Sequence, residues 1–125
     1  MKLLIDSNAL IWMAANPREL APAARRTLQD PDNDRFVSIV SIWELTIKIS
    51  IGELRLPGKP TAAVEGMAAT LLPISLAHID RVERLPFHHR DPFDRMLVAQ
   101  AIEDGLTIVT RDHRLQAYGV PLLRA

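Results

Sequence analysis

Five short, mostly apolar runs punctuate this chain: KLLI at 2–5, FVSIV at 36–40, LLPIS at 71–75, LTIVT at 106–110 and VPLL at 120–123. Runs of this length without regular polar alternation read as strands buried on both faces. Helix-like stretches lie between them, at 7–16, 21–30, 41–52, 61–70, 76–85 and 91–105, with a short helical turn at 111–119. Polar or Pro-containing loops fill 17–20, 31–35, 56–60 and 86–90. The best-marked helix is DPFDRMLVAQAIEDG, with Asp91 at the cap, Pro92 at the first position and Gly105 after the end. Pro73 makes LLPIS an edge strand or a strand start. Strands alternating with helices give a mostly parallel sheet covered on two sides, a three-layer α/β/α sandwich.

At 125 residues, with no internal repeat or long linker, the chain suits a single domain over 1–125. Fifteen basic residues balance fifteen acidic ones, which argues against a strongly cationic nucleic-acid binder but permits a locally basic face. With no cysteine, disulfides and thiolate zinc sites are excluded. No run approaches the roughly 20 apolar residues of a membrane span, and only Lys2 precedes a short apolar stretch at the N-terminus. A soluble, cytoplasmic protein is expected.

In a parallel sheet, the functional crevice lies beyond the carboxyl ends of the strands. Asp6 ends the first strand, Glu44 lies in the first turn of the helix after FVSIV, and Asp112 follows LTIVT. Asp91 and Asp94 open the helix after PFHHR and join the others if that helix points its N-terminus to the same edge. Each acid also has a local reading. Ser41-Ile-Trp-Glu44 matches a capping box, and Asp91-Pro-Phe-Asp94 is a similar helix start. Asp6 can be a strand-end turn residue, Asp112 a helix cap, and Ser7 a cap for the first helix. What favours a shared site is their joint placement, because crowded carboxylates repel unless a cation sits between them. A hard divalent ion, Mg²⁺ or Mn²⁺, suits such oxygen donors. Ser7 and Asn8 are placed to orient a carboxylate or a bound water.

LLIDSNALIW, SIWELTIKISIGEL, HRDPFDRMLVAQA and LTIVTRD, in this order, resemble a PIN-domain protein of the VapC toxin type. The resemblance runs from residue 3 to about residue 123. It implies a Rossmann-like α/β/α fold, an Mg²⁺-dependent ribonuclease activity, a VapB-like antitoxin partner and a homodimer. Carried over by position, it implies catalytic roles for Asp6, Glu44, Asp94 and Asp112, with metal contacts from Asp6, Asp94 and Asp112. Asn8 departs from the histidine frequent in the related DTH form. Asp91 belongs to the DPFDR form, where capping is favoured over metal contact.

Arg90, Arg95 and Arg111 adjoin motif acids and are candidate RNA-phosphate contacts. His88 and His89 read as loop residues, while His78 and His113 have no chemical partner in the sequence. Trp12 and Trp43 read as core or dimer contacts, and apolar residues from Ile42 to Leu54 as surface that includes a partner site. Two other functions compete. A phosphoacceptor receiver module needs an acid pair at the first strand and a late lysine, yet no lysine follows Lys59. A non-catalytic PIN-like RNA-binding or scaffold protein has no need to keep acids at all four motif positions.

Overall fold

The computed structural model describes residues 1–125. Strand β1 (Lys2–Ile5) leads through Asp6 into helix α1 (Ser7–Ala15). A 3-10 turn at Pro17–Glu19 and α2 (Pro22–Gln29) precede β2 (Asp34–Ser38). Then come α3 (Ile39–Ser50), α4 (Pro60–Gly66), β3 (Thr70–Leu72) and α5 (Leu76–Arg84). The chain closes with α6 (Pro92–Asp104), β4 (Thr107–Thr110), a 3-10 turn at His113–Tyr118 and β5 (Leu122–Arg124).

The strands pair in the order β3-β2-β1-β4-β5, and every pairing is parallel. The three-layer reading therefore holds. β1 is central, which explains why Leu3, Leu4 and Ile5 are all 0% exposed. Successive side chains point to opposite faces. Leu3 and Ile5 accordingly pack with Leu10, Leu28 and Leu45 on one side, while Leu4 packs with Leu97, Val98 and Leu115 on the other. Burying each of these β1 side chains contributes roughly 1.5–3 kcal/mol. A charge in place of Leu4 would therefore break the sheet at its centre.

The strand order reverses around β1: the chain fills one side with β2 and β3, then the other with β4 and β5. The crevice beyond its carboxyl end is the usual ligand position of such sheets. Asp6 stands at that end.

Several local expectations shift. FVSIV does not run as strand to Val40, because the Ser38 hydroxyl accepts from the Val40 N–H at 3.1 Å and starts α3 at Ile39. The first helix is capped by Asp6 rather than by Ser7, through the Ala9 N–H at 2.8 Å. β3 is an edge strand that ends before Pro73, so the proline takes no place in the ladder. PREL is a 3-10 turn rather than a plain loop.

His78 also gains a partner that the sequence did not reveal. Its Nδ1 accepts from the Ser75 N–H at 3.0 Å while the Ser75 hydroxyl accepts from the His78 N–H at 3.2 Å, closing a capping box on α5. Its Nε2 lies 2.9 Å from Asp104 Oδ2, tying α5 to the end of α6. That helix begins and ends as its spelling indicates. Asp91 caps it, Pro92 occupies the first position, and Gly105 takes the left-handed conformation (φ 66°) that glycine adopts without a Cβ penalty. No helix is long and apolar enough to cross a membrane.

Candidate active site

Four elements bring their acids to the carboxyl edge of the sheet. Asp6 leaves β1 and is 7% exposed. Burial pushes its carboxyl above the usual range, the nearby charges of Glu44 and Asp112 push the same way, and the Thr110 hydroxyl and Ala9 amide oppose. Asp94, third residue of α6, is pushed up to about 7, first by burial and then by the charge of Asp91. Glu44 and Asp6 raise it further. Acids from residues 6, 44, 91, 94 and 112 thus act on one another electrostatically.

Glu44 is not part of a capping box. With α3 starting at Ile39, it lies in the second turn. Its Oε1 accepts from the Ser7 hydroxyl at 2.5 Å, and its Oε2 lies 3.3 Å from Lys48 Nζ. The Ser41 hydroxyl, the expected cap, is buried without a hydrogen-bond partner. Ser7 therefore joins α1 to α3 beside Asp6. Asn8 is exposed at the second position of α1.

Asp91 Oδ1 accepts from the N–H groups of Phe93 and Asp94 at 2.8 and 3.4 Å, so it caps α6. Asp94 takes no part in that cap, and its Oδ2 lies 3.4 Å from His89 Nε2. Asp112 caps the 3-10 turn that follows β4 and is held well below the usual carboxylate range, chiefly by the Arg114 guanidinium. Arg114 donates Nε–H to Oδ1 and Nη2–H to Oδ2, both at 2.8 Å.

Sequence reasoning passed over His89. Its side chain is 8% exposed, and its Nε2 lies 3.1 Å from Asp112 Oδ2 and 3.4 Å from Asp94 Oδ2. The signal was its place two residues ahead of Asp91, but its partner Asp112 is 23 residues away. One potential ligand atom from each of His89, Asp94 and Asp112 falls within 4.8 Å of the others. Buried, mutually repelling carboxylates with oxygen donors are the chemistry that a hard divalent cation satisfies.

The arginines separate. Arg95 is 5% exposed, and its guanidinium donates to the carbonyls of Val82, Leu85 and Pro86 and to the Tyr118 hydroxyl. It is a brace between α6 and the end of α5, not a surface contact for RNA. Arg111 stacks over Trp12 at 3.9 Å and donates to Glu19 and to the Ala125 carbonyl, so it is committed away from the acids. Arg90 is exposed, on the wall of a cavity of about 400 Å³ shared with Trp43, Phe87 and Phe93. Trp43 is 60% exposed and meets Phe93 edge-on at 5.2 Å, which excludes the core reading for it. Within the expected apolar partner surface, Ile42 and Leu45 are buried, whereas Ile49 and Ile51 are exposed.

The family model described as PIN domain matches residues 3–121, nearly the whole chain. The chain belongs to the PIN domain family. This PIN domain is 25% identical over 122 residues to Ribonuclease VapC22 of Mycobacterium tuberculosis, covering 95% of this chain and 93% of that protein. Among solved structures, it is similar to DNA-bound VapBC from Salmonella typhimurium (TM-score 0.72, 17% identity, 98% and 97% of the two chains covered). It is also similar to VapBC2 from Rickettsia felis bound to a promoter DNA fragment (TM-score 0.71, 14% identity, 98% of each chain). A third likeness is to FitAcB from Neisseria gonorrhoeae (TM-score 0.64, 19% identity, 98% and 96%). At these identities, the structural likenesses establish the PIN domain's fold.

Proposed function

We propose that this protein is a divalent-metal-dependent ribonuclease, a single catalytic domain acting in the cytoplasm as the toxin of a VapBC-type pair. The observation that carries the reading is the convergence of Asp6, Glu44, Asp94 and Asp112, with the charges of Glu44 and Asp112 acting on buried Asp6 and those of Glu44 and Asp6 on Asp94. The likeness to a ribonuclease named VapC22 supports the reaction class, and the VapBC complexes among similar structures support a VapB-like partner.

Asp6 and Asp94 are assigned to hold the cation, with Asp112 as the third acid. When bound, Mg²⁺ or Mn²⁺ supplies positive charge against the phosphate's non-bridging and leaving oxygens and makes water a better nucleophile. The protein's own part is placement. The Ala9 N–H fixes Asp6 Oδ1, the α6 cap leaves Asp94 free of local duty, and Ser7 with Lys48 holds the Glu44 carboxylate to orient the attacking water. RNA phosphates approach an acidic centre, so cations at its rim must offset that charge. Arg90 and Arg114 are exposed and suited to this, whereas Arg95 is buried and Arg111 is engaged by Glu19 and the Ala125 carbonyl. Exposed Trp43, Leu76 and Phe87 offer apolar surface to a second copy of the chain.

The test is cleavage of RNA by purified protein with Mg²⁺ and with EDTA, for wild type, Asp6→Asn and Asp94→Asn. Cleavage that needs Mg²⁺ and falls by about 10²-fold or more in both folded variants is expected. Folded Asp94→Asn cleaving at the wild-type rate would overturn the assignment, and metal-independent absence of cleavage would favour the non-catalytic alternative.

A further inference from the structure

His89 has no role in that reaction scheme, yet its ring bridges two of the acids, with Nε2 at 3.1 Å from Asp112 Oδ2 and 3.4 Å from Asp94 Oδ2. The simplest assignment is a third metal ligand, since the three donor atoms cluster within 4.8 Å. The other ring nitrogen argues against it. The backbone N–H of Asp91 donates to His89 Nδ1 at 3.1 Å. An amide N–H cannot accept a hydrogen bond, so Nδ1 carries no proton and Nε2 carries one. A protonated ring nitrogen has no lone pair for a metal. Ligating histidines show the reverse arrangement, the distal nitrogen donating to a carboxylate or carbonyl.

We infer that His89 is a positioning residue: its Nε2–H donates to the Asp112 carboxylate at the end of β4 and holds it beside the Asp94 carboxylate, whose Oδ2 lies 3.4 Å from the same nitrogen, and it is not a ligand. The only other side chain hydrogen-bonded to the Asp112 carboxylate is Arg114, whose side chain is 64% exposed. Arg114 holds both oxygens from the solvent side and its backbone N–H holds Oδ1, while the buried ring holds Oδ2 on the side of Asp94. Asp91 has a part in the same device. Its side chain caps α6 while its backbone N–H sets the tautomer of His89. The inference rests on the metal-site reading above for its functional consequence, but the tautomer stands on the ring's own partners.

Long-range ¹H–¹⁵N spectra of histidine-labelled protein read the ring protons directly, without divalent ions and with saturating Mg²⁺. The expected result is a protonated Nε2 and a bare Nδ1 in both samples. A proton on Nδ1 with a bare Nε2 in Mg²⁺ would make His89 a ligand and overturn the inference. In parallel, Mn²⁺ affinity is measured by the electron paramagnetic resonance of free Mn²⁺ for wild type, His89→Ala and His89→Gln, with thermal unfolding as the folding control. His89→Ala should weaken Mn²⁺ binding by about 10–100-fold, the usual effect of losing an orienting partner of a ligand. His89→Gln, which keeps a donor of similar reach, should recover most of that loss. Equal affinity in folded His89→Ala and wild type would overturn the positioning role. Wild type that binds no Mn²⁺ while keeping a protonated Nε2 would sink the metal-site reading and leave the hold on Asp112 in place.

Discussion

Helices α3 and α6 each deliver an acid to the cluster, and each has a polar residue three positions ahead of it: Ser41 before Glu44, and Asp91 before Asp94. In α6 the spelling and the structure coincide. Asp91 caps the helix, and Asp94 sits at its third position, close to the positive end of the helix dipole. In α3 the helix starts three residues earlier, at the Ser38 cap, and Glu44 falls in the second turn. The two acids therefore meet different environments. Glu44 has a serine hydroxyl and a lysine as partners, whereas Asp94 has burial and like charge. The acid with least local support is the one whose carboxyl rises to about 7.

That contrast predicts the largest effect in cleavage. Asp94→Asn should lower the cleavage rate by about 10²–10³-fold, the scale of losing one electrostatic contributor to a phosphoryl transition state. Glu44→Gln should cost about 10–100-fold, as for a group that orients rather than holds. Single-turnover rates on one RNA substrate check both. If Glu44→Gln proves the more damaging, the contrast between the two helices is drawn the wrong way round.

A second prediction concerns stability. Asp94 binds its proton more tightly in the folded state than at its ordinary value of 3.8. Between about pH 4 and pH 7 the native state thus holds more protons than the unfolded one, and stability without divalent ions falls as pH rises through this window. Asp112 behaves oppositely. Its lowered value contributes stability that is present above pH 3.8 and lost as pH falls below it. At pH 8 in EDTA, Asp94→Asn should be more stable than wild type by a few kcal/mol, no more than about 4. Mg²⁺ should raise the melting temperature of wild type at pH 8, and much less that of the variant. Thermal unfolding at pH 5 and pH 8, with and without Mg²⁺, checks the sign. A wild type most stable at pH 8 in EDTA would contradict it.

The sheet was legible because its strands are runs such as KLLI and LTIVT, whose lack of alternation reports burial on both faces. The meeting of Asp6, Glu44 and Asp112 followed from parallel pairing, whereas Asp94 joins them only because α6 points its N-terminus to the same edge. The start of α3 was not legible, because FVSIVSIW is apolar apart from its two serines and carries no change of period to mark where strand gives way to helix. The choice was made by tertiary pairing: Val37 and Ser38 lie in register with Leu71 and Leu72 of β3, so the strand must continue that far. Arg95 looked like a phosphate contact because it adjoins Asp94. Only the arrival of the α5 carboxyl end, with its free carbonyls, made it a buried brace. His89 shows the same limit, since its partner Asp112 comes near only after β4 has joined the sheet.

The smallest effects test the start of α3 itself. Ser38 is 0% exposed and its hydroxyl accepts from Val40 N–H, so Ser38→Ala should cost about 1–2 kcal/mol, the upper part of the range for a lost cap. Ser41 is equally buried, but its hydroxyl has no partner. Ser41→Ala therefore removes a group that lost its water on folding and regained nothing, and what it forfeits is only the packing of one oxygen atom. The expected change in urea unfolding is within about 0.5 kcal/mol of zero or slightly stabilising. A capping box at Ser41 and Glu44 predicts the opposite ranking, with Ser41→Ala the costly change and Ser38→Ala the mild one. Because both substitutions delete the same atom three residues apart in one chain, their difference isolates where the helix begins. With that start goes the freedom of Glu44 to turn from its own backbone toward Ser7.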